Sequence, residues 1–100
     1  MRRVRIEVMP WLSGYLVEGS TGPALLDEYV ADGTRVRDLL QQLVGRKRDL
    51  EEVLFDSSKG SLAGHVVATL NGRILELAGG LETELKDGDT LRLMVGIVGG

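Results

Sequence analysis

Apolar residues alternate with polar ones near both ends of the chain and follow a helical stripe between them. Val4, Ile6 and Val8 share one face of an extended segment, and Arg3, Arg5, Glu7 and Met9 share the other. A period of two marks a half-buried strand. Pro10 ends it, because proline has no amide to give to a ladder. Near the other end, Leu91, Leu93 and Val95 alternate with Thr90, Arg92 and Met94. In the middle, Val36, Leu39, Leu40, Leu43 and Val44 recur at the spacing of one helix face.

Shorter signals fill the intervals. Thr34 is placed to cap the helix with its hydroxyl. Gly45 reads as the helix stop, with Arg46, Lys47 and Arg48 at the negative end of the macrodipole. Asp49 can cap a short second helix carrying Leu50, Val53 and Leu54, anchored by Phe55. Residues 24–31 suit a second strand, whose inward set the pattern leaves open. Residues 11–23 read as a long turn region whose middle, 14–18, extends the strands as a hairpin. Residues 56–64 are a polar loop. Val66, Ala68 and Leu70 then alternate with His65, Val67 and Thr69, and Asn71-Gly72 is a strong hairpin signal. Ile74, Leu75 and Leu77 make a short strand or turn. Gly79-Gly80 breaks the chain, and Lys86-Asp87-Gly88-Asp89 is a tight turn.

The order strand, strand, helix, strand, short elements, strand predicts a two-layer α+β domain. The expected form is a mixed sheet of four to five strands on one main helix, with a short second helix. The first and last strands should lie side by side at the sheet centre. Residues 1–95 form the domain, and 96–100 a flexible tail.

One hundred residues suit one domain. A net charge of −3 argues against nucleic-acid binding, which calls for a basic face. With no cysteine, the chain has no thiolate nucleophile, disulfide or zinc-thiolate site. No apolar run approaches the ~18 residues needed to span a bilayer, and the basic N-terminus lacks a signal-peptide core. The expected location is cytoplasmic.

The last strand runs into Gly96-Ile97-Val98-Gly99-Gly100. Paired glycines leave a narrow channel unobstructed, and a carboxylate on Gly100 would be an anion at neutral pH. Extended, these five residues reach ~16–18 Å, enough to enter a deep pocket. Ile97 and Val98 offer apolar grip. The outward face holding Arg92 and Met94, beside Met9, leads into this tail and is the candidate docking patch.

Other candidates have plainer readings. Glu82, Glu84, Asp87 and Asp89 read as turn chemistry and not as a metal cluster; no metal site is expected. His65 reads as a sheet-face histidine without a metal partner. Ser57, Ser58 and Ser61 have no base nearby in sequence. Trp11 reads as packing at the core edge, ahead of a contact hot spot. The Arg46–Arg48 charge run reads as helix-end chemistry.

The tight turn, the strand and Gly99-Gly100 in that order resemble the MoaD/ThiS group of β-grasp, ubiquitin-like sulfur carriers. Residues 32–40, 54–56 and 67–72 look like that family's other elements, so the resemblance runs from Val4 onward. It implies a ubiquitin-like β-grasp fold. It also implies that a ubiquitin-activating-type adenylyltransferase, using ATP and magnesium, adenylates the Gly100 carboxylate. Sulfur from a donor protein's persulfide then makes a Gly100 thiocarboxylate for a downstream synthase or target protein. The chain itself would bind no cofactor, nucleic acid or membrane, and would be no enzyme, though it could be the non-catalytic subunit of a synthase. Molybdenum cofactor biosynthesis is one such pathway, but the stretch before Gly99 lacks the proline pair common in the molybdopterin-synthase small subunit. The alternatives are a ubiquitin-like modifier joined to lysines through Gly100, or a non-covalent β-grasp adaptor.

Overall fold

Val4, Ile6 and Val8 are fully buried while Arg3 and Arg5 stand exposed, as the alternation requires. They belong to β1 (Arg2–Val8) of the computed structural model, which describes residues 1–10, 12–15, 21–46, 48–56 and 61–96. Beyond β1, Ser13–Tyr15 form a 3₁₀ turn. The buried Ser13 hydroxyl donates to the Gly22 carbonyl at 2.6 Å and closes the connection across its base. The hairpin arm expected over 14–18 is therefore not strand at Gly14 and Tyr15; its remainder, and Trp11, lie outside the described residues.

β2 (Ala24–Val30) runs antiparallel to β1, with Val4 opposite Glu28 and Ile6 opposite Leu26. Directly opposed residues share a face, so Ala24, Leu26, Glu28 and Val30 turn toward the core. Helix α1 (Val36–Arg46) lays its whole predicted stripe on that face, all five residues buried. Its start differs from the reading by one position. The first helical bond runs from Leu39 to the Arg35 carbonyl, and Asp38 accepts the Arg35 amide at 3.0 Å. Thr34 instead offers its carbonyl to Leu85 at 2.8 Å, tying the helix entry to a distant connector. Gly45 does not stop the helix, which continues through it to Arg46; there the guanidinium meets Glu28 of β2 at 2.7 Å. Gly45 also lacks the positive φ of a glycine cap.

Helix α2 (Arg48–Leu54) buries Leu50 and Leu54, and Asp49 sits inside its first turn. A feature the pattern missed follows. β3 (Phe55–Asp56) and β4 (Ser61–Leu62) pair antiparallel as a small second sheet, and the Ala63 amide donates to Leu54 at 2.8 Å. Two-residue strands carry no periodicity to read. Ser57 and Ser58 lie outside the described residues.

β5 (Val66–Leu70) buries Val66, Ala68 and Leu70 and turns at Asn71-Gly72 into β6 (Arg73–Ile74). Both turn residues have positive φ, 53° and 84°, as a tight hairpin of right-handed strands demands. Two 3₁₀ turns, Leu75–Ala78 and Gly80–Glu82, carry the chain back beneath α1. β7 (Thr90–Val95) then runs parallel to β1 and antiparallel to β5. The strand order is β2-β1-β7-β5-β6, so the first and last strands are neighbours and β7 is central. The result is a mixed five-stranded sheet with α1 on one face. Among the described residues, no helix covers the other face.

Candidate functional site

β7 is flanked on both sides, so the direction of its exit is fixed by the middle of the sheet. The pairing of β5 with β7 brings Val66 opposite Val95 and Val67 opposite Met94. The ladder does not end there. The Gly96 amide donates to the His65 carbonyl at 2.7 Å. Gly96, given above to the tail, thereby hydrogen-bonds to the residue just before β5. Four residues follow it, spanning at most ~13–14 Å when extended. Ile97, Val98, Gly99 and Gly100 lie outside the described residues.

Glycine is needed at position 96 for close approach. An added Cβ would stand 2.6 Å from Cγ2 of Val67. Sequence reasoning missed this contact; Gly96 itself was its only signal. His65 is also misplaced by the alternation. It is exposed in the turn before β5, and the sheet uses its carbonyl.

The open face beside this exit is built in rows. Register sets Glu7 of β1, Arg92 of β7 and Thr69 of β5 side by side. The Arg92 guanidinium donates to Glu7 Oε2 at 2.9 Å through Nε, with Nη2 at 2.8 Å. Arg92 is thus tied across the strands to Glu7 while its side chain stays about half exposed (48%). In the next row, Met94 lies opposite Val67. The Met9 amide donates to the Leu93 carbonyl at 2.9 Å, continuing the β1 ladder and bringing Met9 level with Met94. The three predicted docking residues therefore share one face, with half-buried Met9, Met94 and Val67 next to the exit.

On the outer side of the same face, Asp27 of β2 accepts from Arg3 at 3.1 Å and from Arg5 at 3.5 Å. The Arg3 hydrogen bond, outweighing the carboxylate's own desolvation, holds Asp27 below the usual carboxylate range, and the Arg3 guanidinium is raised in return. The acidic residues near the last turn are likewise structural. Glu82 takes Arg37 at 2.6 Å and Arg35 at 3.0 Å, pinning the Gly80–Glu82 turn to the start of α1. Glu84 faces Arg2 at 3.7 Å. Asp87 accepts the Arg3 amide, and Asp89 accepts the Lys86 amide and the Asn71 side chain. Among the described residues, no group of three or more His, Asp or Glu is arranged to hold a metal ion. No described helix is long and apolar enough to cross a membrane.

Comparison with known proteins agrees with this arrangement. The model of the ThiS family matches residues 21–100, a span that includes Gly99-Gly100. A protein of Archaeoglobus fulgidus, provisionally named a sulfur carrier protein, is 37% identical over 62 residues, which are 62% of this chain and 66% of that protein. The match thus spans just under two thirds of that relative. The solution structure of small archaeal modifier protein 1 from Methanosarcina acetivorans superimposes with a TM-score of 0.72 at 25% identity, covering 100% of this chain and 98% of that one. Urm1 from Trypanosoma brucei gives a TM-score of 0.73 at 24% identity, covering 99% and 96%, and so shares the fold.

Proposed function

The chain belongs to the ThiS family, and on that premise we propose that it carries sulfur on the carboxyl group of Gly100. The observation that carries this reading is the placement of Gly99-Gly100. The pair lies within the family match, four residues at most beyond a rung in the sheet's centre. The body of the domain supplies position; the reactive group is backbone.

In this reading, a Gly100 carboxylate oxygen attacks the α-phosphorus of ATP held with magnesium by a ubiquitin-activating-type partner. Pyrophosphate leaves and an acyl adenylate forms. The terminal sulfur of a donor protein's persulfide then attacks the acyl carbon and expels AMP, giving an acyl disulfide. A thiol attacks the donor's cysteine sulfur, breaks the S–S bond and leaves the Gly100 thiocarboxylate, with the thiol and the donor cysteine joined as a disulfide. The partner supplies the charge stabilisation that phosphoryl chemistry needs. The chain supplies a terminus without side-chain bulk and, around Met94, Arg92 and Met9, a face on which the partner docks. Ile97 and Val98 line the partner's channel. The absence of cysteine fits a carrier whose sulfur sits on the main chain.

The likeness to a small archaeal modifier favours a second use of the same adenylate. In that use a target lysine, in place of sulfide, displaces AMP and an isopeptide forms.

One experiment tests both readings. The chain is incubated with an activating partner, ATP, magnesium, a persulfide donor and a thiol reductant, and its intact mass is followed. Exchange of one oxygen for sulfur is expected, and it should vanish when Gly99-Gly100 is removed. Covalent adducts of higher mass, formed without the exchange, would favour conjugation. Sulfur uptake by the chain lacking both glycines would overturn the assignment to Gly100.

A further inference from the structure

The two edges of the sheet are unequal. β6, at one edge, has two residues, which leaves little backbone to pair. β2, at the other, has seven and, among the described residues, only β1 beside it. Every other residue of such an edge turns its N–H and C=O away from the sheet. Proteins commonly guard a long edge with proline, a bulge or charged side chains, inward-pointing ones included. β2 has no proline, and its two charged residues are engaged within the chain, Asp27 by Arg3 and Arg5 and Glu28 by Arg46. The open face of this edge instead carries Leu25, 61% exposed, and Tyr29, 65% exposed.

The spacing of these two residues selects an occupant. When β2 pairs antiparallel with a second β2 about a two-fold axis at Asp27, residue 25 of one copy falls opposite residue 29 of the other. Both exposed apolar side chains then meet, Leu25 on Tyr29 and Tyr29 on Leu25, as an aromatic–aliphatic cross-strand pair on each side of the axis. Shifting the register by two places either residue opposite Asp27 and loses the match. The two Asp27 carboxylates at the axis each arrive with guanidinium partners of their own chain. The surface is self-complementary, as a two-fold interface must be.

We propose that the free edge of β2 pairs with β2 of a second copy, joining two sheets into one continuous sheet of ten strands. The interface is a single strand pair, so the dimer is a weak, concentration-driven one. It leaves the β7 exit and the row of Met9, Met94 and Val67 uncovered, because β2 and β7 are separated by β1.

Sedimentation velocity over a wide concentration series tests the proposal. The wild-type chain is expected to shift from monomer toward dimer as concentration rises. Tyr29→Lys, at a position exposed enough to leave the fold intact, should abolish the shift while retaining the wild-type circular dichroism. The absence of native cysteine allows the register to be read directly. A mixture of Leu25→Cys and Tyr29→Cys chains should form a disulfide-linked heterodimer on mild oxidation, in several-fold excess over either variant alone. A wild-type chain that stays monomeric at every concentration would overturn the proposal, including the case in which an unrelated extended peptide occupies the edge. So would a dimer that Tyr29→Lys leaves unchanged, or cross-linking equal in the mixture and the single variants.

Discussion

An added Cβ on Gly96 would come within 2.6 Å of Cγ2 of Val67, a distance that real side chains do not adopt. With Val67 in its present place, no side chain fits at residue 96, where the amide donates to the His65 carbonyl at 2.7 Å. Gly96→Val should force Val67 or the strand end to move, at a cost of about 1–3 kcal/mol. Denaturant unfolding measures this. Combining Gly96→Val with Val67→Ala should recover much of the loss, since the neighbour's methyl groups are then gone. Equal losses for the single and double variants would show that the clash is not the cause.

Leu85 is the buried pin of the long connector. It is fully buried, its amide donates to Thr34 at 2.8 Å, and its carbonyl accepts Arg2 Nη1 at 2.7 Å. Its backbone thus ties the helix entry to the start of β1, and its side chain is packed in the core. Leu85→Ala should cost about 2–5 kcal/mol, the range for a leucine truncated in a packed core. Leu77→Ala, at a side chain 73% exposed, should change stability little. The two urea midpoints give the comparison.

These contacts mark how far the sequence could be read. Periodicity located every long element, because Val4, Ile6 and Val8, the α1 stripe, and Leu91 and Leu93 each face one core. Asn71-Gly72 was legible because positive φ at successive positions restricts the residue choice. The errors share a physical origin. Thr34, Gly45 and His65 were judged by local propensity, whereas Thr34 and His65 bond to Leu85 and Gly96, both distant in sequence, and the helix runs through Gly45 to Arg46, which meets Glu28. The β3–β4 pair was invisible because two residues define no period. In the candidate site, the face shared by Arg92, Met94 and Met9 followed from alternation. The Glu7–Arg92 pair and the Gly96–Val67 approach did not, since both depend on cross-strand register.

Acid should weaken the tie between α1 and the Gly80–Glu82 turn. Hydrogen bonds from Arg37 and then Arg35 lower the Glu82 carboxyl below its ordinary value of 4.5. A carboxyl with a lower pKa in the folded state contributes stability that is present above its unfolded pKa. That contribution is lost as pH falls through the folded value. Urea midpoints measured from neutral pH downward should therefore fall on the acid side of the usual carboxylate range. Glu82→Gln should flatten part of that slope. Because the pair is exposed, added salt should shrink the difference. An unchanged slope in Glu82→Gln would remove Glu82 from the account.

Met94 offers the sharpest test of the docking face. It lies half-buried opposite Val67 and level with Met9, in the row nearest the exit of β7. In the proposed reading, a partner that receives the tail sits over this row, the one beside Gly96. A thioether side chain is well suited to such a contact, since it adapts its shape to the surface it meets. Met94→Ala should reduce docking by about 1–2 kcal/mol, read as a roughly 5- to 30-fold rise in the KM of the chain for its activating partner. Unfolding midpoints should fall much less than for Leu85→Ala. Ile74→Ala, on the far edge strand β6, provides the control and should leave KM unchanged. If both variants behave alike, the partner does not read this row.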